Sequence, residues 1–277
     1  MSNNVIKILF FGDLVGRSGR FAVRDFLADI PQEDKPDFVI ANVENASHGF
    51  GLTPKNYNDL IEYGIDGMTS GNHIFDKKEL LSIIDVDADK LVRPLNYPKQ
   101  MNYGSGSRII EKNGVKIGIV NLMGQVFTMP VQSPWEIVKT EIEHIRKETP
   151  IVFLDFHAEA TAEKICFGRY CSELGVSAFV GTHTHVQTAD EQILNNMAYI
   201  TDVGFCGTSD GIIGMSYSSS LNRFLTALPE RYEVAEGDDR QINAVEIEID
   251  KLSGFALSIK RINCVIKDKE KEKENEV

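Results

Sequence analysis

The sequence predicts an α/β fold. Two observations carry that expectation. Short apolar runs of strand length recur along the chain, and segments with helical spacing of apolar residues fall between them. A third observation bounds it: no internal repeat and no Pro- or Ser-rich linker interrupts the 277 residues, so 1–266 read as a single domain.

The elements follow in order. Lys7-Ile8-Leu9-Phe10-Phe11 reads as a buried strand that ends at Gly12-Asp13. Gly16 and Gly19 read as a loop, after which Phe21, Val23, Phe26, Leu27 and Ile30 take helical spacing. Asp37–Val43 is a second strand, ending at Glu44-Asn45. Thr53 and Pro54 mark the start of a helix, as cap and first-turn residue, and Leu60, Ile61 and Ile65 continue it. Asp66–Ser70 is a short strand leading into Gly71-Asn72-His73. Ser107–Glu111 and Val115–Leu122 pair across an Asn113-Gly114 turn. Ile137, Val138, Ile142 and Ile145 form the apolar stripe of a helix that starts near Pro134. Ile151–Asp155 is a strand that delivers His157, Ala160–Leu174 is helical, and Ala178–Gly181 is a strand that delivers His183 and His185. Ala198–Thr201 is a further strand, followed by a Gly-rich loop. Ala244–Ile249 and Ala256–Val265 alternate as a terminal hairpin or two edge strands, joined near Leu252-Ser253-Gly254. Lys267–Val277 is a charged run without apolar anchors and reads as a frayed or disordered tail.

Composition excludes several classes. Hydrophobic residues make up 42%, enough for a core. No apolar run approaches the roughly 20 residues that cross a bilayer, and Met1-Ser2-Asn3-Asn4 carries no basic leader, so the expected setting is cytoplasmic, without a membrane. The net charge is −12, of which the tail, with four Lys against five acids, supplies only −1. An acidic body disfavours duplex nucleic acid, which needs cations to displace counterions. It leaves a small phosphate ester open, because bound metal supplies local positive charge. The four cysteines, Cys166, Cys171, Cys206 and Cys264, form no Cys-x-x-Cys pair and read as reduced thiols.

The chemistry lies at strand ends. Five times an apolar strand stops and a metal-competent residue follows: Asp13, Glu44-Asn45, Asn72-His73, His157 and His183-x-His185. Sites in α/β sheets collect at the carboxyl ends of strands, so residues distant in sequence can converge there. Four of the six histidines fall in these segments. His48 lies close by and is kept as a supporting or substrate residue; His144 sits on an outer helix face. Two divalent ions a few ångströms apart can clamp a phosphoryl group and activate water. A carboxylate can bridge them with one oxygen on each, while imidazoles and amide oxygens fill the remaining positions. Such donors without thiolate suit Mn or Fe better than a structural zinc site.

Taken singly, each piece has a plainer reading. Asp13 could cap a turn, Glu44-Asn45 could be a loop pair, Gly71-Asn72-His73 a tight turn, and His157 a hydrogen-bonded core histidine. Their conjunction is what points to a metal pair. Gly12–Gly19 lacks both the Gly-Lys-Ser/Thr ending and the Gly-x-Gly-x-x-Gly spacing of nucleotide loops, though Arg17 or Arg20 could still touch a phosphate.

These residues resemble the metallophosphoesterase superfamily, whose pattern runs Asp-x-His, Gly-Asp, Gly-Asn-His, His, Gly-His-x-His. Gly71-Asn72-His73 and Gly181-Thr182-His183-Thr184-His185 match. Val15 stands where the first histidine is usual, and Val43-Glu44 replaces Gly-Asp. Those departures resemble a narrower group, the YmdB-like bacterial phosphodiesterases. Phe11–Arg17, Asn42–Asn45, Asp155–Thr161, Gly181–Glu191 and Thr201–Gly204 carry the likeness, over roughly residues 5–265.

The resemblance implies an α/β/β/α sandwich, two mixed sheets flanked by helices. It implies that Asn45 replaces the missing histidine ligand, that the substrate is a small phosphodiester such as a 2′,3′-cyclic nucleotide, and that the chain is a homo-oligomer. On that basis Asp13, Asn45 and His185 are expected on one ion, Asn72, His157 and His183 on the other, with Glu44 bridging. Fe or Mn are the expected ions, with Mg or Zn as alternatives. A hydroxide between the ions is expected to attack phosphorus, and His73 is the expected catalytic residue, donating a proton to the leaving oxygen or steadying the charged phosphoryl group. Two other readings stay open: a nucleotidase or phosphomonoesterase on the same platform, and a metal-bound regulatory nucleotide-binding protein with little turnover.

Overall fold

The computed structural model describes residues 4–237 and 239–267. The strands are β1 (Val5–Phe11), β2 (Asp13–Leu14), β3 (Phe38–Asn42), β4 (Gly67–Thr69), β5 (Ser107–Lys112), β6 (Val115–Met123), β7 (Val152–His157), β8 (Ala178–Thr182), β9 (Gln192–Leu194), β10 (Met197–Ile200), β11 (Phe205–Thr208), β12 (Asp239–Asp250) and β13 (Ala256–Lys267). The α-helices are α1 (Gly16–Asp29), α2 (Pro54–Glu62), α3 (Pro134–Ile145), α4 (Thr161–Glu173) and α5 (Tyr217–Thr226).

They form two mixed sheets flanked by helices, the expected sandwich. The first sheet has seven strands in the order β2-β11-β12-β1-β3-β4, with β13 added along β12; the second runs β5-β6-β7-β8-β10-β9. Neighbours β1, β3 and β4 are parallel, as are β6, β7, β8 and β10, while β12 runs antiparallel to β1, β11 and β13.

Side-chain alternation explains why these strands read as continuous apolar runs. Successive residues of a strand point to opposite faces, and here both faces are covered. Ile6, Ile8 and Phe10 of β1 join Ile119, Phe153 and Val180 in the core between the sheets. Leu9 and Phe11 turn to the outer core that includes Ala22 and Val23 of α1. Val152, Leu154 and Phe156 of β7 pack on the far side with Val138 and Ile142 of α3 and Phe167 of α4. A strand apolar at every position therefore serves two cores.

The predicted helix start at α2 has its cap: Thr53 Oγ1 accepts from the Asn56 N–H at 3.3 Å, with Pro54 in the first turn. Four readings change. Ile65 lies beyond α2, which ends at Glu62. Gly16 and Gly19 lie inside α1, not in a loop. A Cβ on Gly19 would stand 2.4 Å from the Cys206 carbonyl oxygen, so this glycine lets the helix lie against the β11 backbone. The Gly-rich stretch after β10 holds β11, which pairs with β2 and β12, and then α5. The charged tail begins one residue late, since Lys267 ends β13; the rest of it falls outside the described residues. No described helix is long and apolar enough to cross a membrane.

Candidate metal centre

Five strand ends meet along one edge of the sandwich. Asp13 opens β2 directly after β1, Glu44 and Asn45 follow β3, Asn72 follows β4, His157 ends β7, and His183 and His185 follow β8. These seven side chains, drawn from both sheets, are brought together. Three glycines make the approach close. A Cβ on Gly12 would lie 2.1 Å from the Gly204 carbonyl oxygen, one on Gly181 1.8 Å from the Thr201 carbonyl oxygen, and one on Gly71 2.3 Å from Glu44 Oε2 and 2.4 Å from His157 Nε2. Any side chain at Gly71 would fill the space among the donors.

One half of the cluster centres on His157. Its Nε2 lies 3.0 Å from Glu44 Oε1, 3.2 Å from Asn72 Oδ1 and 3.0 Å from His183 Nδ1. The other half centres on His185. Its Nε2 lies 3.2 Å from Asn45 Nδ2 and 3.9 Å from Asp13 Oδ1, and Asn45 Nδ2 also lies 3.2 Å from Glu44 Oε1. Glu44 Oε1 thus stands between the halves, while Oε2 accepts the His73 main-chain N–H at 3.1 Å.

Each of the three histidines is held by one ring nitrogen and offers the other. His185 Nδ1–H donates to the Ile213 carbonyl at 2.8 Å. His157 Nδ1–H donates to Thr182 Oγ1 at 2.9 Å, and that hydroxyl donates onward to Asp155 Oδ1 at 2.7 Å. His183 Nε2 faces Glu159 Oε2 at 3.0 Å. An acceptor behind the ring fixes the tautomer and aims the remaining lone pair, the arrangement metal-binding imidazoles require. Sequence reading missed these supports, because Glu159, Thr182 and the Ile213 carbonyl carry no signal until the fold places them.

Electrostatics favour cations here. Asp13 and Glu44 are fully buried, and only histidines lie within ion-pairing distance of them among the described residues. Burial pushes the Glu44 carboxyl up, but the charge and hydrogen bond of His157 outweigh it and hold the group at about 2. Burial pushes His157 down, but Glu44 and then Asp13 draw it up to about 9. Burial and the neighbouring His157 lower His183 to about 3, leaving it neutral and able to ligate. The lone pairs of His157 and His183 converge 3.0 Å apart, so a proton or a metal ion must lie between them.

The donor atoms of Glu44, His157 and His183 all lie within 4.8 Å of one another. Asp13 Oδ1 and Asn45 Oδ1 are buried without a hydrogen-bond partner, a costly state that a cation relieves. The residues therefore fit bound metal ions. Asn45 presents its amide nitrogen to His185 and Glu44, so ligation through Oδ1 needs the amide turned over.

His73 borders the cluster without joining it. Its Nδ1 is tied to Asp76 Oδ2 at 2.9 Å, and Phe50 meets its ring edge-on. His48 is exposed and lines a different pocket beside α1, as does Arg17. Arg20 spends its guanidinium on the Ala46 carbonyl. None of the three reaches the donors. His144 is exposed on α3, as expected.

Behind the cluster, two buried acids lock the strand ends. Asp155 accepts from Thr69 and Thr182 hydroxyls and from Asn42 Nδ2, joining β3 and β4 of the first sheet to β7 and β8 of the second. Asp202 takes Lys164 Nζ at 2.6 Å, the Thr184 N–H at 3.1 Å and the Thr184 hydroxyl at 2.7 Å. It thereby holds the loop in which His183 (φ 101°) and His185 (φ 63°) adopt left-handed backbone, which costs about 1–3 kcal/mol each.

The chain resembles known proteins along nearly its whole length. It is 46% identical over 258 residues to the 2′,3′-cyclic-nucleotide 2′-phosphodiesterase of Bacillus subtilis, covering 93% of this chain and 96% of that protein. A crystal structure from Mycoplasma pneumoniae, described as a novel phosphatase, superimposes with TM-score 0.88 at 35% identity, covering 98% of this chain and 97% of the other. The NAD nucleotidase of Haemophilus influenzae shares the fold, with TM-score 0.54 at 15% identity over 95% of this chain and 56% of that one. The model of the YmdB-like protein family matches residues 9–262. The chain belongs to the YmdB-like family, and its sandwich is of the metallophosphoesterase type.

Proposed function

We propose that this chain is a metal-dependent phosphodiesterase that opens 2′,3′-cyclic nucleotides. The observation that carries the proposal is the meeting of aimed imidazole nitrogens with two buried carboxylates that have no Lys or Arg partner among the described residues. Asp13, Asn45 and His185 would hold one ion, Asn72, His157 and His183 the other, with Glu44 shared between them. The hydrogen bond from the His73 main-chain N–H to Glu44 Oε2 would keep that carboxylate in place. Carboxylate, imidazole and amide donors suit Fe or Mn, and also accept Mg or Zn. When bound, the ions supply a nucleophilic water at neutral pH and positive charge against the phosphoryl oxygens.

The chain's own groups do the rest. Gly71 leaves the donor space open, and Asp155 and Asp202 keep the donors from moving as charge shifts. His73, oriented by Asp76, presents its Nε2 as the proton source for the departing 2′ oxygen. A bond from the water oxygen to phosphorus forms as the P–O2′ bond breaks, O2′ takes the proton, and the phosphate stays on O3′. The name of the 46% identical relative supports the cyclic substrate. Within the same proposal the enzyme is a cytoplasmic homo-oligomer. The four unpaired thiols support a reducing compartment. The exposed Tyr217, Leu221 and Leu225, repeating every four residues on α5 and followed by Leu228, support a subunit contact.

Elemental analysis of the purified protein, alongside a panel of 2′,3′-cyclic nucleotides and nucleoside monophosphates, tests the proposal. Two metal equivalents and preferred turnover of the cyclic diesters are expected. Faster hydrolysis of the monoesters would make it a nucleotidase. Tight nucleotide binding without product would make it a binding protein.

A further inference from the structure

We propose that the cleft above the donor cluster holds a nucleoside slot, in which Phe224 stacks on the base and Arg223 contacts its polar edge. This rests on the cyclic-nucleotide reading and extends it to the part of the substrate that does not react. The cleft has a volume of about 380 Å³, within the range of small-ligand sites. Its lining joins Glu44, Asn45, His183 and His185 to an apolar wall of Phe50, Ile213, Met215 and Phe224.

A phosphate alone has no use for such a wall. A phosphate tethered to a sugar and a flat base does, since the base must leave the polar floor along it. The wall is also joined to the chemistry: the Ile213 carbonyl that carries it accepts from His185 Nδ1. Ser220, Arg223 and Phe224 stand at i, i+3 and i+4, so one face of α5 presents all three to the cleft. Phe224 is 85% exposed, so its ring contributes little to the fold and is free to receive a partner. The Arg223 guanidinium rests 4.7 Å over the Tyr232 ring, which holds it at the rim before any ligand arrives.

The test compares metal-loaded wild type with Phe224→Ala and Arg223→Ala, both at residues of α5 exposed in the single chain. The substrates are adenosine 2′,3′-cyclic phosphate and the abasic ribose 2′,3′-cyclic phosphate. Calorimetry with adenosine 3′-monophosphate gives binding apart from turnover. For Phe224→Ala, the ratio of kcat/KM for nucleotide over abasic sugar is expected to fall on the order of tenfold, with a matching loss of affinity for the monophosphate. An unchanged ratio, or dissociation of subunits in light scattering with nucleotide affinity intact, would overturn the slot. Should wild type act only on monoesters, the cyclic-diester reading fails by itself. The same variants then decide the slot on adenosine 5′-monophosphate against ribose 5-phosphate.

Discussion

His73 differs from the three histidines of the cluster in what holds it. Theirs are the Thr182 hydroxyl, the Glu159 carboxylate and the Ile213 carbonyl, each from a distant part of the chain; its own is Asp76, a partly exposed carboxylate three residues on. Its main-chain N–H steadies Glu44 Oε2 whatever the side chain is. The ring can therefore be removed without removing that hydrogen bond. His73→Ala is expected to keep both metal equivalents by elemental analysis while losing about 100-fold or more in kcat, the usual worth of a placed proton donor. Near-normal turnover would take His73 out of the mechanism. At this scale the gathering of these seven side chains was legible in the sequence because each closely follows an apolar run. Their supports were not. Asp155, Thr182 and Glu159 are ordinary residue types, and their role exists only because β7 and β8 lie side by side and against β3 and β4.

Among the elements, long apolar strands announced themselves, since a strand buried on both faces needs no polar alternation. The missed ones are short or locally ambiguous. β2 and β9 have two and three residues, too few for any period to show. β11 contains Gly207 and follows Gly204, so turn signals mask it. α5 sends its large apolar side chains to solvent, so the link from apolar stripe to core fails there. The element with the most at stake is α4, which delivers Lys164, 1% exposed, to the loop after β8. Lys164 Nζ donates to the Thr182 carbonyl at 2.7 Å and to Asp202. Lys164→Met would strand the Asp202 carboxylate in the interior, at a cost of about 3–5 kcal/mol. The Lys164→Met/Asp202→Asn double variant is expected to recover part of that loss, because the buried charge is gone. Urea unfolding of the set measures it. A single variant within about 0.5 kcal/mol of wild type, the range of an inconsequential surface change, would show that the pair does not hold the loop.

For the whole molecule, the two sheets are cemented apolar face to apolar face over most of their area but meet at one edge through buried ionisable groups, some of whose polar atoms go unpaired. Ile8, Phe10, Phe153 and Val180 join them by burial, which is favourable without help. At the carboxyl edge, Asp13 and Glu44 of the first sheet's connections face His157 and His183 of the second's, and Asp13 Oδ1 has no hydrogen-bond partner at all. Cations bound there would draw both sheets onto common centres and so would act as a staple for the sandwich. Because unfolding scatters the side chains of the cluster, such metal would bind the folded state and raise its stability in proportion to the logarithm of free metal over Kd. Chelation of a sample held at about 100 times Kd should remove about 2.7 kcal/mol per site, lowering Tm by about 5–10 °C for each site emptied in a chain of this size. Manganese or iron added back should restore it, and Asp13→Ala should abolish much of the difference. Scanning calorimetry decides the matter: identical transitions with and without chelator would mean that the edge is held by protons alone, and that the seven side chains gather for some purpose other than metal.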